Sequence, residues 1–424
     1  MKYFYLIFHN PNIQKFILQK FQISNFIFHI STNLRHIIFL KDIFLLALTA
    51  FGGPQAHIAL FIKYLVNKRG YLSEVELMEI NGLCQMVPGP SSTQTLTAIG
   101  YKRGGFWLAM FTLVVWMLPA VSVMIFLALS TDFISPKFAR FVPYMAVGFV
   151  LSAAVQVIPK VVNTKMGWFL TITTAIVSCA IRSPWELPII VLLSGIIASF
   201  KFYKQEKQEV VEKLEIRWRY FVLYAVIFVG MAILGGITHL LPIRLFENFY
   251  RNGSLVFGGG QVLVPVLYTE FVAFKKYLTA QEFMYGFAAV QALPGPVFSF
   301  SAYIGALSMR EYGTWGSILG GVVAAIGINL PGTLLIFFVI TFWQSLKKYR
   351  AVRASLEGIH AASAGLVISA AYLLFVPLKI NFLSLQPIDY LHLGLILVTF
   401  LLLKFTKIPH PFIVLLGIIM GFLV

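Results

Sequence analysis

Two short runs of proline, glycine and hydroxyl-bearing residues hold the groups of this sequence that could bind a ligand. One run is Pro88-Gly89-Pro90 followed by Ser91, Ser92 and Thr93, and the other is Pro294-Gly295-Pro296 followed by Ser299. Proline ends a helix because it lacks an N–H group, and the first N–H groups of the next helix have no intrahelical acceptor. Together with the helix macrodipole, such groups bind oxyanions. We call these two runs the proline breaks, and we expect Pro90 at the first position of a new helix.

A glycine-rich run precedes each proline break. Gly52-Gly53-Pro54 precedes the first and Gly258-Gly259-Gly260 the second, and we call these runs the glycine breaks. The first is predicted to free the N–H groups of Gln55, Ala56 and His57. Because Gly260 stands where the first copy has Pro54, the two glycine breaks are not predicted to be identical. The candidate substrate-binding residues are Gly52, Gly53, Gln55, His57, Gln85, Pro88, Gly89, Pro90, Ser91, Ser92, Thr93, Gly258, Gly259, Gln261, Gln291, Pro294, Gly295, Pro296 and Ser299, with Gln94 and Ser301 as further side-chain donors.

The four breaks belong to a duplicated segment. Residues 51–90 and 257–296 align without a gap, 206 positions apart, with 13 identical positions. Beyond this segment, Leu118-Pro119-Ala120 resembles Leu330-Pro331-Gly332, and Gly148 matches Gly365. A single Pro-Gly-Pro run could simply kink a membrane helix whose freed groups are satisfied locally. Interruptions at matched places in two halves are instead typical of a transport site, so the duplication favours a functional interpretation.

The composition predicts a membrane protein. Apolar residues make up 59% of the 424 residues and charged residues 12%, with a mean hydropathy of +0.84. The apolar stretches are apolar on all sides over about 20 residues, as transmembrane helices require. The net charge of +17 is explained by Lys and Arg in cytoplasmic loops, so it does not require a nucleic-acid partner. Cys84 and Cys179 both lie in apolar runs, and no disulfide framework is expected.

These stretches predict an all-α polytopic fold with about 13 transmembrane helices in two inverted homologous repeats with broken helices. The predicted parts are an N-terminal extension (1–36), repeat 1 (37–200), a charged cytoplasmic linker (201–218), a connecting transmembrane helix (219–241) and repeat 2 (242–424). A cytoplasmic N-terminus places 23 of the 33 basic residues inside. An odd number of spans then separates matched segments, so the copies run in opposite directions, provided that residues 219–241 span the membrane.

Few ionisable residues fall within the predicted spans. Glu76 and Glu282 are explained as capping-box partners of Ser73 and Thr279. Lys63 could act inside the membrane or extend to the surface. The sequence contains no G-x-x-x-x-G-K-[ST] and no H-E-x-x-H motif, which disfavours ATP hydrolysis and metalloprotease chemistry.

Four motifs resemble the chromate ion transporter family. They are Phe-Gly-Gly-Pro-Gln at 51–55, Pro-Gly-Pro-Ser-Ser-Thr-Gln at 88–94, and the longer runs at 257–265 and 292–306. The resemblance covers about residues 37–424 and is to the long-chain, two-domain form. It implies secondary transport of chromate, with sulfate as a competing or native oxyanion, through two oppositely oriented halves. The residues after Pro90 differ between branches of the family, so the substrate does not carry over.

The sequence therefore predicts a secondary transporter of chromate and/or sulfate that works by alternating access, and not an enzyme. A tetrahedral dianion between half-helix N-termini would need several backbone donors and a nearby cation. The alternative is a carrier or channel for another small anion. The predicted partners are the oxyanion and the lipid bilayer, without nucleic acid, and a homodimer stays open. No cofactor or metal is expected, and the predicted location is the plasma membrane, multi-pass, with a cytoplasmic N-terminus.

Overall fold

The computed structural model describes residues 34–131, 140–181, 186–201, 216, 218–257, 260, 262–342, 349–380, 382, 384–406 and 408–423. All regular secondary structure in these residues is helical. Residues 1–33 of the predicted extension and most of the charged linker lie outside the described residues.

The described residues of the first half form seven α-helices. They are α1 (34–49), α2 (Gly53–Phe61, continued by a π-helix at Ile62–Lys68), α3 (Glu74–Met86), α4 (Ser91–Leu129), α5 (Val142–Val161), α6 (Lys165–Ala180) and α7 (Glu186–Ser199). Local sequence sets several boundaries. The Ser73 hydroxyl accepts the N–H of Glu76 at the start of α3, and α4 bends where Gly104 and Gly105 leave helical geometry.

A connecting helix, α8 (Arg219–Thr238), leads to a second half with the same order of elements. These are α9 (Leu241–Gly253), α10 (Leu263–Leu267, continued by a π-helix at Tyr268–Phe274), α11 (Ala280–Ala292), α12 (Phe300–Ser308), α13 (Gly313–Val339), α14 (Arg350–Phe375), α15 (Pro387–Phe405) and α16 (His410–Leu423). The two π-helices start 206 positions apart, and so do helices α3 and α11. The duplication seen in the sequence is therefore also a duplication of local structure.

Within the described parts of the chain, six helices are long and apolar enough to cross a membrane. They begin at Ser91, Val142, Arg219, Arg310, Arg350 and Pro387, and five shorter apolar helices add to them. The connecting span at 219–241 corresponds to α8, whose apolar window is only 6% buried, as suits a helix that faces lipid. The count of 13 spans stays a prediction.

Two features at the start of the repeats bear on the predicted organisation. The first glycine break interrupts a helix, as predicted, because α1 ends at residue 49 and α2 starts at Gly53. Residues 242–251, at the start of the predicted repeat 2, belong to α9, which buries Leu245, Phe249 and Arg251. Its polar and apolar residues alternate with helical periodicity, which a hydropathy criterion overlooks.

The two halves interlock through close helix crossings. A Cβ at Gly148 of α5 would lie 2.7 Å from Cβ of Thr399 in α15, and a Cβ at Gly365 of α14 would lie 2.8 Å from Cβ of Thr174 in α6. Gly148 and Gly365 are the glycines that the sequence matched between the halves. Each therefore allows a helix of its own half to approach a helix of the other half.

Candidate functional site

Both proline breaks interrupt a helix, as predicted, but the restart differs in detail. Pro90 is the N-cap of α4 and Ser91 its first helical residue, so the prediction that Pro90 occupies the first helical position is wrong. Gln94 N–H donates to the Pro90 carbonyl at 2.8 Å, which leaves the N–H groups of Ser91, Ser92 and Thr93 without an intrahelical acceptor.

In the second half the helix restarts less regularly. Pro296 precedes a 3₁₀ turn at Val297–Ser299, and α12 follows it. The Ser299 hydroxyl donates to the Pro296 carbonyl at 2.8 Å, and the Ser301 hydroxyl donates to the Phe298 carbonyl at 2.8 Å. Both hydroxyl hydrogens are therefore used within the turn. In this conformation neither hydroxyl is free to donate to a ligand, and a role of these serines in substrate binding stays a prediction.

Each proline break is bonded to the other half, two residues before its glycine break. Gly89 N–H donates to the Val256 carbonyl, and Gly295 N–H donates to the Ala50 carbonyl, each at 2.8 Å. Donors and acceptors are both 206 positions apart, so the two bonds are equivalent. Gly89 and Gly295 have φ of +122° and +103°, a region in which an L side chain is strained. Each proline break therefore lies against the chain that leads into the glycine break of the other half.

The long helices α4 and α13 make the same crossed contacts with the proline breaks of the opposite half. A Cβ at Gly89 would lie 3.3 Å from Cα of Gly332, and a Cβ at Gly295 would lie 3.1 Å from Cβ of Ala120. Gly332 and Ala120 follow the matched prolines of α13 and α4. A small residue is needed at each place because the turn of one half packs directly on the long helix of the other.

A hydrogen-bonded chain through His57 links the breaks of the first half. His57 is 1% exposed, with Nε2 3.1 Å from the Ala50 carbonyl oxygen and Nδ1 3.1 Å from Oγ of Ser92. A carbonyl oxygen only accepts, so Nε2 carries the proton and, in the neutral ring, Nδ1 accepts from the Ser92 hydroxyl. The Ala50 carbonyl oxygen thus accepts hydrogen bonds from both His57 Nε2–H and Gly295 N–H. His57 fixes the position of α4 against the second proline break.

Trp116 orients the neighbouring hydroxyl. Its Nε1–H donates to Oγ1 of Thr93 at 3.2 Å, and its ring meets the His57 ring edge to face with centroids 5.4 Å apart. An indole is only a donor, so Thr93 accepts this bond and keeps its own hydrogen for another acceptor. Trp116 lies in the middle of a long apolar helix, where only its polar N–H distinguishes it from an ordinary core residue.

Two glutamines have unpaired polar atoms at the breaks. Gln94 is 1% exposed and its Nε2 donates to the Pro88 carbonyl at 2.7 Å, but its Oε1 has no partner. Gln291, in the last turn of α11, is 6% exposed and its Nε2 has no partner. Its counterpart Gln85 is exposed, so the two matched glutamines are not equivalent. A buried amide needs hydrogen-bond partners, so both glutamines are candidates to bind a ligand.

Other predicted residues lie apart from this group or cannot be placed. Gly258, Gly259 and Gln261 lie outside the described residues, as does the Gln55 side chain. Because α2 starts at Gly53, the free N–H groups of its first turn are those of Gly53 and Gln55, and the prediction for Ala56 and His57 is wrong. Lys63 is exposed on the π-helix.

Glu76 and Glu282 have structural partners. The Thr279–Glu282 pair forms a full capping box, and Glu282 also bonds to Arg310. At the start of α3 the Ser73 hydroxyl accepts the Glu76 N–H, and the Glu76 carboxylate bonds to Lys102. The predicted capping box is therefore complete at Glu282, whereas at Glu76 the structure shows the serine half of it.

These features define a multi-pass membrane protein built from two homologous halves. The family model for chromate transporters matches residues 38–200 and 243–422. The chain belongs to this family of transport proteins, which are not enzymes.

Similar proteins come from archaea and bacteria. An uncharacterized transporter of Methanocaldococcus jannaschii is 25% identical over 390 residues, which are 89% of this chain and 92% of that protein. The "Probable chromate transport protein" of Synechococcus elongatus is 26% identical over 88% of this chain and 91% of its own length. The chromate transport protein of Cupriavidus metallidurans is 25% identical over 86% and 87%. No solved structure matches the chain.

Proposed function

We propose that this protein is a secondary transporter of oxyanions, chromate and/or sulfate, that binds its substrate at the first proline break. The proposal is supported by the family and by one observation in particular: crossed hydrogen bonds join each proline break to the chain just before the glycine break of the other half. The free N–H groups at the start of α4 and the Thr93 hydroxyl are the donors to the oxyanion. The unpaired Nε2 of the buried Gln291 adds a donor from the second half.

We further propose that the halves are inverted repeats that rock against each other. In a two-fold arrangement, a contact between one residue of the first half and one residue of the second half occurs twice. The second contact joins the equivalents of the same two residues, with the halves interchanged. The pairs Gly89–Val256 and Gly295–Ala50 follow this rule, and so do the crossings at Gly148 and Gly365. With α8 as an extra span between them, the copies have opposite orientations, which is the arrangement of alternating-access transporters.

Flux measurements in vesicles with reconstituted protein test the site. Pro88→Ala and Pro294→Ala should each reduce oxyanion flux at least about tenfold, because each lets the preceding helix continue and removes free N–H groups. Gln291→Ala should reduce it less, since it removes one donor. Pro387→Ala is the matched control, because Pro387 is exposed at the start of α15, far along the chain from the breaks. Unchanged flux in all three folded variants would show that the site is elsewhere.

The same vesicles separate a carrier from the alternative, a channel. A gradient of unlabelled chromate should drive countertransport of labelled chromate if one site alternates between the two sides of the membrane. Electrical conductance without exchange would instead show a channel and contradict alternating access.

A further inference from the structure

The amide of Gln94 is held in one orientation beside the first proline break. Its Nε2 donates to the Pro88 carbonyl, and the side chain lies between two glycines. A Cβ at Gly89 would lie 2.7 Å from Nε2, and a Cβ at Gly332 would lie 2.6 Å from it. A flipped amide would place its oxygen against the Pro88 carbonyl oxygen, which is repulsive. The geometry therefore fixes Oε1 as the atom without a partner.

An unpaired acceptor is unexpected in a site made of donors. Oε1 of Gln94 is buried, and leaving such an oxygen unpaired costs about 1–3 kcal/mol. A fully ionised oxyanion has no hydrogen, so it cannot satisfy Oε1 and is repelled by it. A singly protonated oxyanion carries one O–H group and can donate it there while its other oxygens accept from Ser91, Ser92 and Thr93 N–H groups.

The charges around the breaks also match a monoanion. Among the side chains that the structure describes, Arg251 is the one buried Lys or Arg, and it contacts Glu247 at 2.9 Å and Glu270 at 3.1 Å. Both ring nitrogens of His57 are engaged as one donor and one acceptor in the neutral tautomer. The one described Lys or Arg in the buried class is therefore balanced by two carboxylates, so it does not supply the cation that the sequence led us to expect beside a dianion. A helix N-terminus supplies only about half a positive charge.

We propose that the oxyanion is bound and carried as its singly protonated monoanion, with its hydroxyl group donating to Oε1 of Gln94. This rests on the proposed transport function and specifies the form of the substrate. Gln94 is then a specificity-determining residue: it distinguishes oxyanions that are protonated near neutral pH from those that are not. Chromate takes up its first proton near neutrality, molybdate at lower pH and sulfate only in strong acid.

The test is the initial rate of uptake of these three oxyanions into vesicles containing the wild-type protein, at fixed total concentration over a pH series. Above the second ionisation of each substrate, the rate should fall about tenfold per pH unit, in step with its monoanion. The pH at which the fall begins should therefore move with the substrate. At neutral pH the order of rates should be chromate, molybdate, sulfate.

Titratable groups of the protein would behave differently. Those on elements near the start of α4 are His57 on α2, the buried Cys84 on α3 beside Thr95, His360 on α14 with Nε2 3.2 Å from the Gln85 carbonyl oxygen, and the ion pairs of Glu76 and Glu282. Titration of any of them gives the same inflection for all three substrates. A shared inflection, or a rate that does not depend on pH, would refute the monoanion while leaving oxyanion transport intact. Absence of flux for every oxyanion at every pH would refute the proposed function itself.

A variant tests the role of the amide oxygen. Gln94→Met keeps a similar volume but removes the acceptor, and it should lower chromate uptake at least about tenfold and reduce the preference over sulfate. Gln156→Met is the control, because Gln156 lies on α5 with its Nε2 bonded to Ser152. Thermal unfolding in detergent identifies a variant that has simply lost its fold, and the wild-type pH series decides the question in that case. A folded Gln94→Met protein with the wild-type preference would refute the assignment.

Discussion

Gly89→Ala tests whether the crossed contact between the halves holds the protein together. Gly89 has φ of +122° and donates to Val256 across the two halves. An added Cβ would lie 2.7 Å from Nε2 of Gln94 and 3.3 Å from Cα of Gly332. The side chain of Gln94 can move, but the backbone of the long helix α13 cannot do so without shifting the contact between the halves.

The expected cost follows from two contributions. A non-glycine residue at positive φ costs about 1–2 kcal/mol. Displacing the Gln94 amide leaves the buried Pro88 carbonyl without its donor, which costs about 1–3 kcal/mol more. We therefore expect the free energy of unfolding to fall by about 2–5 kcal/mol.

Gly70→Ala is the matched control, because Gly70 has φ of +61° but no atom within 4 Å of an added Cβ. It should cost only the backbone strain, about 1–2 kcal/mol. Denaturant unfolding of the purified proteins in detergent, followed by intrinsic tryptophan fluorescence, measures both values. If Gly89→Ala is no more destabilising than Gly70→Ala, the contact between the breaks does not contribute to stability and our account of it is wrong.

Two further variants test separate contacts. Trp116→Phe removes the N–H that orients Thr93, so it should raise the KM for the oxyanion several-fold at a cost in stability of about 1 kcal/mol. Trp107→Phe, at a 72% exposed position of the same helix, should change neither, and equal effects of the two would contradict the orienting role. Gly305→Ala places a Cβ 2.3 Å from a carbonyl oxygen of α13 and should destabilise the folded protein by about 1–3 kcal/mol, whereas Gly230→Ala in α8 has no atom within 4 Å and should not. Similar unfolding of these two glycine variants in detergent would refute the close packing of α12 on α13.

The local elements at the breaks could be predicted from the sequence because their causes are local. The Pro-Gly-Pro runs at 88–90 and 294–296 end a helix, whereas the single Pro119 and Pro331 lie within α4 and α13. Ser73 and Thr279 start the preceding helices by capping. The duplication also required no structure, since identical residues recur at one offset. The exact residue at which each helix restarts was less predictable. Pro90 became an N-cap, and the second half restarted with a 3₁₀ turn.

Equivalence between the copies was the less reliable part of the sequence-based interpretation. The glutamines at 85 and 291 match in sequence, yet one is exposed and the other buried. His57 has Leu263 as its counterpart, so the hydrogen-bonded chain exists in the first half alone among the described residues. Identical residues have different surroundings because the residues that contact them come from the other half, and those have diverged.

The sequence by itself determined a duplicated, helical membrane protein with four helix breaks, because composition, periodicity and the effect of proline on the backbone act along the chain. Only the tertiary structure decided which break meets which. The bonds from Gly89 to Val256 and from Gly295 to Ala50 join residues far apart in the chain, and no local rule specifies them. It also decided which polar atoms remain unpaired, since Oε1 of Gln94 lacks a donor only because two glycines and the Pro88 carbonyl fix its amide.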